Sequence, residues 1–266
     1  MSRSTRLSDA RGFGAVLGVT GIIVFLLIWE VAPLLGLVDP EFFPPVHLVF
    51  AQLGVYLVQP AFWVDVLETM KSWALGLLFA AVLALVVGMI IGSSEFLRRA
   101  THTTIEFLRP IPSVALIPLA VLLFGTKIQS SLLLITYAAF WQILLQVLYG
   151  MADVDPIARD TARSYGLRRV AILRHVVWPT TLPYFLTGMR LGAAVSLILA
   201  ITSELIIGTP GIGAEIALNQ AGGAVSSVYA LVLVTGFIGV VINIVARLIE
   251  RSVLSWHTSV RGEVLA

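Results

Sequence analysis

Asp160 to Pro179, DTARSYGLRRVAILRHVVWP, is the stretch whose residue types and spacing most clearly define a task. With Arg159 it gathers five of the chain's 17 Lys and Arg residues into one short segment. The chemistry available there is ionic and apolar docking. Asp155-Pro156 reads as a helix start, with Asp as N-cap and Pro at the first position, where a missing N–H costs nothing. Ile157, Ala158, Thr161, Ala162 and Tyr165 then recur at helical spacing on one face, and Arg159 and Arg163 share the other. Gly166 suits the left-handed position that closes such a helix. A second short helix, about 167–177, groups Val170, Leu173, Val176 and Val177 before Pro179 stops it. Local pattern leaves two uses open: a solvated loop with arginines on anionic lipid headgroups, or a docking face for another protein.

The remaining reactive groups are few. Zero cysteines exclude disulfides, thiolate metal sites and cysteine nucleophiles. The four histidines show no metal-ligand spacing. The GTPGIG run at 208–213 is too short for a phosphate-binding loop and lacks its lysine, so this chain is not expected to hydrolyse ATP. Glu30 and Glu204 are the carboxylates that fall within apparent spans, where such groups tend to face a bundle interior or a cavity. Glu204, with Ser203 beside it, either belongs to a translocation path or is a structural carboxylate bonded to loop amides or a neighbouring helix.

The elements that position these groups lie in a membrane. Hydrophobic residues make up 58% of the chain, charged residues 12%, and the mean hydropathy is +0.97. A soluble domain carries roughly a quarter charged residues. A net charge of +2 is too small to point to nucleic acid. Six segments approach the ~20 apolar residues that cross a bilayer: about 14–37, 72–92, 107–124, 128–151, 183–207 and 225–246. Pro110, Pro112 and Pro118 interrupt the third. Arginines at 3, 6, 11, 98, 99, 159, 163, 168, 169, 174, 247, 251 and 261 fall on one set of loops, against Lys71 and Lys127 on the other. That asymmetry makes both termini and the Gly166 loop cytoplasmic. Gly76, Ala80, Ala84, Gly88 and Gly92 form a small-residue row in the second span, as do Gly188, Gly192, Ser196 and Ala200 in the fifth. Such rows let helices approach closely in lipid, within one bundle or between subunits.

The cytoplasmic stretch resembles the signature of ATP-binding-cassette importer permeases: Glu-Ala-Ala, three residues, Gly, nine residues, Ile-x-Leu-Pro. Asp160, Thr161 and Ala162 take the first three places, Gly166 the glycine, Val176 the isoleucine and Pro179 the proline, while Trp178 stands where the leucine would be. SEFLRRATHTTIEFLRPIPSVALIPLAVLLFG and SELIIGTPGIG are similar to the nitrate/sulfonate/taurine branch. The resemblance implies an all-α integral membrane protein with six transmembrane helices, the type I ABC importer permease (MetI-like) fold. It implies that Asp160, Thr161, Ala162, Tyr165, Gly166, Val176 and Pro179 couple to a separate ABC ATPase, which binds ATP and Mg. The other implied partners are a second permease copy, giving a homodimer, and an extracytoplasmic solute-binding protein.

The resemblance divides the chain into 1–64 (tail, first span and external segment), 65–251 (transport domain with coupling loop 153–179) and a cytoplasmic tail at 252–266. It implies the bacterial cytoplasmic membrane and a small anion such as a sulfonate, taurine or nitrate. Pyrimidine or riboflavin precursors and aromatic acids are alternatives. A secondary transporter or channel without an ATPase is the reading from another class. It predicts ionisable groups near mid-bilayer and inverted halves, and co-purification of an ATPase separates the two.

Overall fold

A computed structural model of the chain describes residues 11–255, which are helical wherever they are regular. Two compact units emerge: one from the segment ending at Pro60 with Leu218–Leu233, the other from Ala61–Ala217 with the segment from Val234 onward. In the first unit, α1 (Arg11–Leu34) and α2 (Val46–Val58) are joined by the Pro-rich segment. The buried Trp29 indole donates to the Pro44 carbonyl at 3.0 Å, and its rings lie 5.5 Å from Phe43 and 5.7 Å from Tyr229. Glu30 accepts the His47 backbone N–H at 3.1 Å and lies 2.6 Å from His47 Nδ1. Its charge therefore sits at the first turn of α2, where free amides favour an anion.

The second unit is built on α3 (Pro60–Gly92), α6 (Ile128–Ala152) and α9 (Trp178–Ile207). Half of the most apolar window of α6 is buried, as is half of that containing α9, against 33% for α3, so α6 and α9 are central. Small residues explain the close approach. A methyl group added at Gly76, Gly88 or Gly92 would collide with Ile135, Val147 or Met151 of α6. At Gly188 and Gly192 it would press on Ile143. Both rows pack against α6 of the same chain, so bundle packing accounts for them. In lipid this packing substitutes for the hydrophobic drive. The Trp73 indole adds a hydrogen bond to the Ala193 carbonyl at 2.9 Å, tying α3 to α9.

Several boundaries differ from the sequence expectation. α3 has 33 residues and starts well before 72, because its charged turns around Asp65 and Glu68 extend the helix without needing hydrocarbon. The third span is not one helix. It divides into α4 (Glu95–Leu108), a 3₁₀ turn (Ser113–Leu116) and α5 (Ile117–Phe124), with a bend of 82°. Proline removes an N–H donor and drives the preceding residue out of helical geometry, so Pro110 and Pro112 enforce the break. The Tyr137 hydroxyl donates to the Leu108 carbonyl at 2.7 Å, helping to satisfy the broken end. Among the described residues five helices are long and apolar enough to cross a membrane, or six if the bent pair counts as one crossing. α7 (Pro156–Ser164) and α8 (Arg169–Ile172) lead into α9; α10 (Ile212–Ala221) and α11 (Val225–Val253) follow it.

Candidate functional site

The Asp155 carboxylate accepts the Ile157 N–H at 2.8 Å and so caps α7, with Pro156 in its first turn. The far end closes through Gly166, whose φ of +77° is costly for any residue with a Cβ. Leu167 N–H reaches the Ala162 carbonyl at 3.1 Å and Gly166 N–H the Arg163 carbonyl at 2.9 Å, so the orphan carbonyls are satisfied. Arg163 and Asp160 pair at 3.1 Å along the exposed surface.

α7 has two unlike sides. Ala162 is buried in one cluster with Met151, Val154, Ile172 and Val177, which pins the loop to the bundle. Ile157, Thr161 and Tyr165 are exposed, Ile157 by 75% and Tyr165 by 81%, and Val170 of α8 by 76%. The sequence expectation placed Ala162 on the outer row. The structure turns it inward and leaves the larger Ile157 and Tyr165 outside. Val176 is half-buried against the same core.

Pro179 does not stop the second helix. Residues 169–207 form one helical run of 39 residues, with a wider turn at Leu173–Val177 in which Trp178 N–H bonds the Leu173 carbonyl. That widening admits the proline, whose ring would otherwise strike the carbonyl four residues back. The run is fixed near its start: Tyr184 Oη donates to Asp153 Oδ2 at 3.0 Å, and Gly150 lets α6 pass close to Thr181.

Glu204 and Ser203 lie near the other end of α9, and both are fully buried. Glu204 Oε2 accepts from Thr69 Oγ1 at 2.8 Å and from Gly213 N–H at 3.0 Å. Thr69 Oγ1 in turn accepts Ile212 N–H at 2.9 Å. Gly208 ends α9 with φ of +79°, and a side chain at Gly211 or Gly213 would collide with Glu204. The GTPGIG run is therefore a turn wrapped over a buried carboxylate that holds it to α3. Ser203 Oγ donates to the Ala200 carbonyl at 2.9 Å. Glu204 Oε2 and Ser203 Oγ are thus bonded within the fold, while the buried Glu204 Oε1 has no hydrogen-bond partner among the described residues.

Three linkages were absent from the sequence reading. Arg190 Nη1 of α9 pairs with Glu250 Oε2 of α11 at 3.0 Å, across 60 positions. Tyr184 braces Asp153, and Thr69 bridges Glu204 to the turn at 208–213. Nothing local marks any of them. Only the amphipathic α4 carried a readable signal, its charges recurring at 95, 98, 102 and 106.

Residues 84–255 match the family described as binding-protein-dependent transport system inner membrane component. The taurine transport system permease protein TauC of Escherichia coli K12 is 29% identical over 92% of this chain and 91% of its own length. A putative aliphatic sulfonates transport permease protein of Bacillus subtilis is 28% identical over 94% and 91%. The nitrate import permease protein NrtB of Synechococcus elongatus is 25% identical over 81% of each. Among solved structures, an inward-facing MetNI methionine ABC transporter chain superposes with a TM-score of 0.63 at 19% identity, covering 73% of this chain and 96% of that one. A bacterial ABC transporter involved in import of the acidic polysaccharide alginate gives 0.63 at 16%, covering 91% and 96%.

Proposed function

We propose that this chain, which belongs to the family of binding-protein-dependent transport system inner membrane components, moves a small oxoanion such as a sulfonate or nitrate. It is the membrane permease of an ATP-driven importer and not itself the enzyme: ATP hydrolysis belongs to a separate ATPase, and delivery of cargo to a solute-binding protein. Two copies form the path between them, and both termini and the Gly166 loop face the cytoplasm. Both placements follow from the cation asymmetry and from the permease signature.

The observation that carries the reading is the two-sided α7. Its inner side is locked to the ends of α6 and α9, so a push on it reaches the bundle without being absorbed by loop flexibility. Its outer side leaves Ile157, Thr161 and Tyr165 uncovered, the apolar surface a rigid partner would grip. ATP-driven closure of the ATPases biases a two-state bundle through that grip. The oxoanion assignment is supported by the three relatives named for taurine, sulfonates and nitrate.

The test is reconstitution of the chain in vesicles with its ATPase and binding protein. Taurine, an alkanesulfonate or nitrate should enter only with ATP inside the ATPase-accessible compartment. Uptake without any ATPase would overturn the reading.

A further inference from the structure

The α4 helix has three unlike sides. At about 100° per residue, Leu97, Thr101, Ile105 and Leu108 fall together, and all four are half-buried. Ile105 and Leu108 pack on the cluster that holds Leu144 and Val147 of α6. Glu95, Arg99, His102 and Glu106 form a second, exposed side. Its charges satisfy one another along the helix: Glu95 takes Arg98 at 2.6 Å and Arg99 at 2.9 Å, and His102 lies 3.4 Å from Glu106. That side is complete in water. The third side, Phe96, Ala100, Thr104 and Phe107, is exposed throughout, its two phenyl groups by 77% and 75%.

The depth of α4 decides what covers its third side. α3 stays apolar and exposed to its last turn, where Val82, Val86 and Ile90 are uncovered. Hydrocarbon therefore reaches the end of α3. Only Ser93 and Ser94 separate that end from α4. The other end of α4 meets the crossing segment Ser113–Phe124 at 82°, across the break at 109–112. Both ends are thus held at one edge of the bilayer, and the helix lies along that edge.

From this arrangement we infer that α4 is an interfacial helix whose Phe96–Phe107 side is sunk in the acyl region of the bilayer. An amphipathic helix with aromatic groups on its apolar side and charges on the other settles at that boundary. Ala100 and Thr104 leave a shallow trough between two phenyl groups about three turns apart. Fluid acyl chains fill such a trough without a matching surface, as a rigid protein could not. Because the charges are paired along the helix, the anchor works by apolar burial and not by attraction to anionic headgroups. It also fixes the break at Pro110 and Pro112 at the membrane edge. The leaflet follows from the cytoplasmic placement proposed above; the depth does not depend on it.

The chain has no cysteine of its own, so single cysteines can carry a nitroxide without other changes. Ala100→Cys, Thr104→Cys, His102→Cys and Glu106→Cys are labelled in turn, and the full-length permease is reconstituted in phosphatidylcholine vesicles. Collision of each label with oxygen, which concentrates in hydrocarbon, is compared with collision with a water-soluble nickel chelate. The oxygen-to-nickel ratio should be severalfold higher at Ala100 and Thr104 than at His102 and Glu106, and unchanged when phosphatidylglycerol is added. Phe96→Asp/Phe107→Asp should lower the ratio at Ala100 toward that at Glu106. Nickel-dominated collision at all four positions would place α4 clear of the bilayer and overturn the inference. Low collision with both reagents at Ala100 and Thr104 would overturn lipid in favour of a second permease copy. A high ratio seen only with phosphatidylglycerol would overturn apolar burial in favour of headgroup charge. The measurement uses neither ATPase nor binding protein, so it stands or falls apart from the transport assay.

Discussion

Thr69 and Glu204, 135 positions apart in sequence, meet in a 2.8 Å hydrogen bond buried within the second unit. The Thr69 hydroxyl donates to the carboxylate and accepts from Ile212, so one side chain satisfies groups from α9 and from the turn that follows it. Glu204→Gln retains an acceptor oxygen for Thr69 and Gly213 and should keep most transport. Glu204→Leu and Thr69→Val leave buried donors unpaired, each costing about 1–3 kcal/mol per group. Both should lower the melting temperature of the purified permease and loosen the turn, read as faster proteolysis there. Abolished transport in Glu204→Gln with normal melting would show that the charge itself is used.

The two sides of α7 predict opposite failures. Ile157→Asp changes an exposed position, so the permease should insert and melt normally yet lose its ATPase in pull-downs. Ala162→Asp places a carboxylate in the buried cluster, where an unpaired polar group costs about 2–7 kcal/mol. That variant should be unstable before any partner is added. Equal melting of the two would contradict the orientation of α7.

Gly166 needs its conformation, not its smallness. Nothing lies within 4 Å of a Cβ placed there, so a substitution meets strain and no collision. Gly166→Val should raise the cost of the turn by about 1–3 kcal/mol and reduce ATPase stimulation by loaded binding protein. Gly166→Asn, which tolerates positive φ, should retain most of it. Loss in both would mean the partner needs the space.

The Arg190–Glu250 pair joins α9 to α11, with both side chains partly exposed. Arg190→Glu and Glu250→Arg should each slow transport. The double reversal should recover part of the loss, with a coupling of about 1 kcal/mol because the pair stays partly solvated. Strict additivity in the cycle would remove any role for the pair.

Topology is checked by single cysteines at exposed Ser164, Ala224 and Ser255. An impermeant thiol reagent should label only Ala224→Cys in intact cells. Labelling of Ser164→Cys there would reverse the orientation.

What the sequence revealed was whatever rests on local chemistry. The Asp155 cap, the positive φ of Gly166 and five of the six apolar spans depend on neighbours in the chain, and these appear as read, although the third span breaks at its prolines. The inward turn of Ala162 was hidden, because a helical stripe of five residues cannot say which of its edges meets the bundle. The passage of α9 through Pro179 was hidden too: a proline reads as a stop unless a wider turn accommodates it. Thr69, Arg190 and Glu250 were invisible because their partners lie 60 or more positions away.

The unbroken run from Arg169 to Ile207 has an angular consequence. Each residue advances a helix by about 100°, so the direction in which Glu204 points is set by the number of residues separating it from Pro179. One residue added near Gly192 would swing the carboxylate about a quarter-turn away from Thr69 and Gly213, although every span would remain as apolar as before. Seven residues added would bring it back to within about 20° of its bearing, at a cost in length alone. The distance from the Gly166 loop to the turn at 208–213 is thus counted in phase as well as in ångströms.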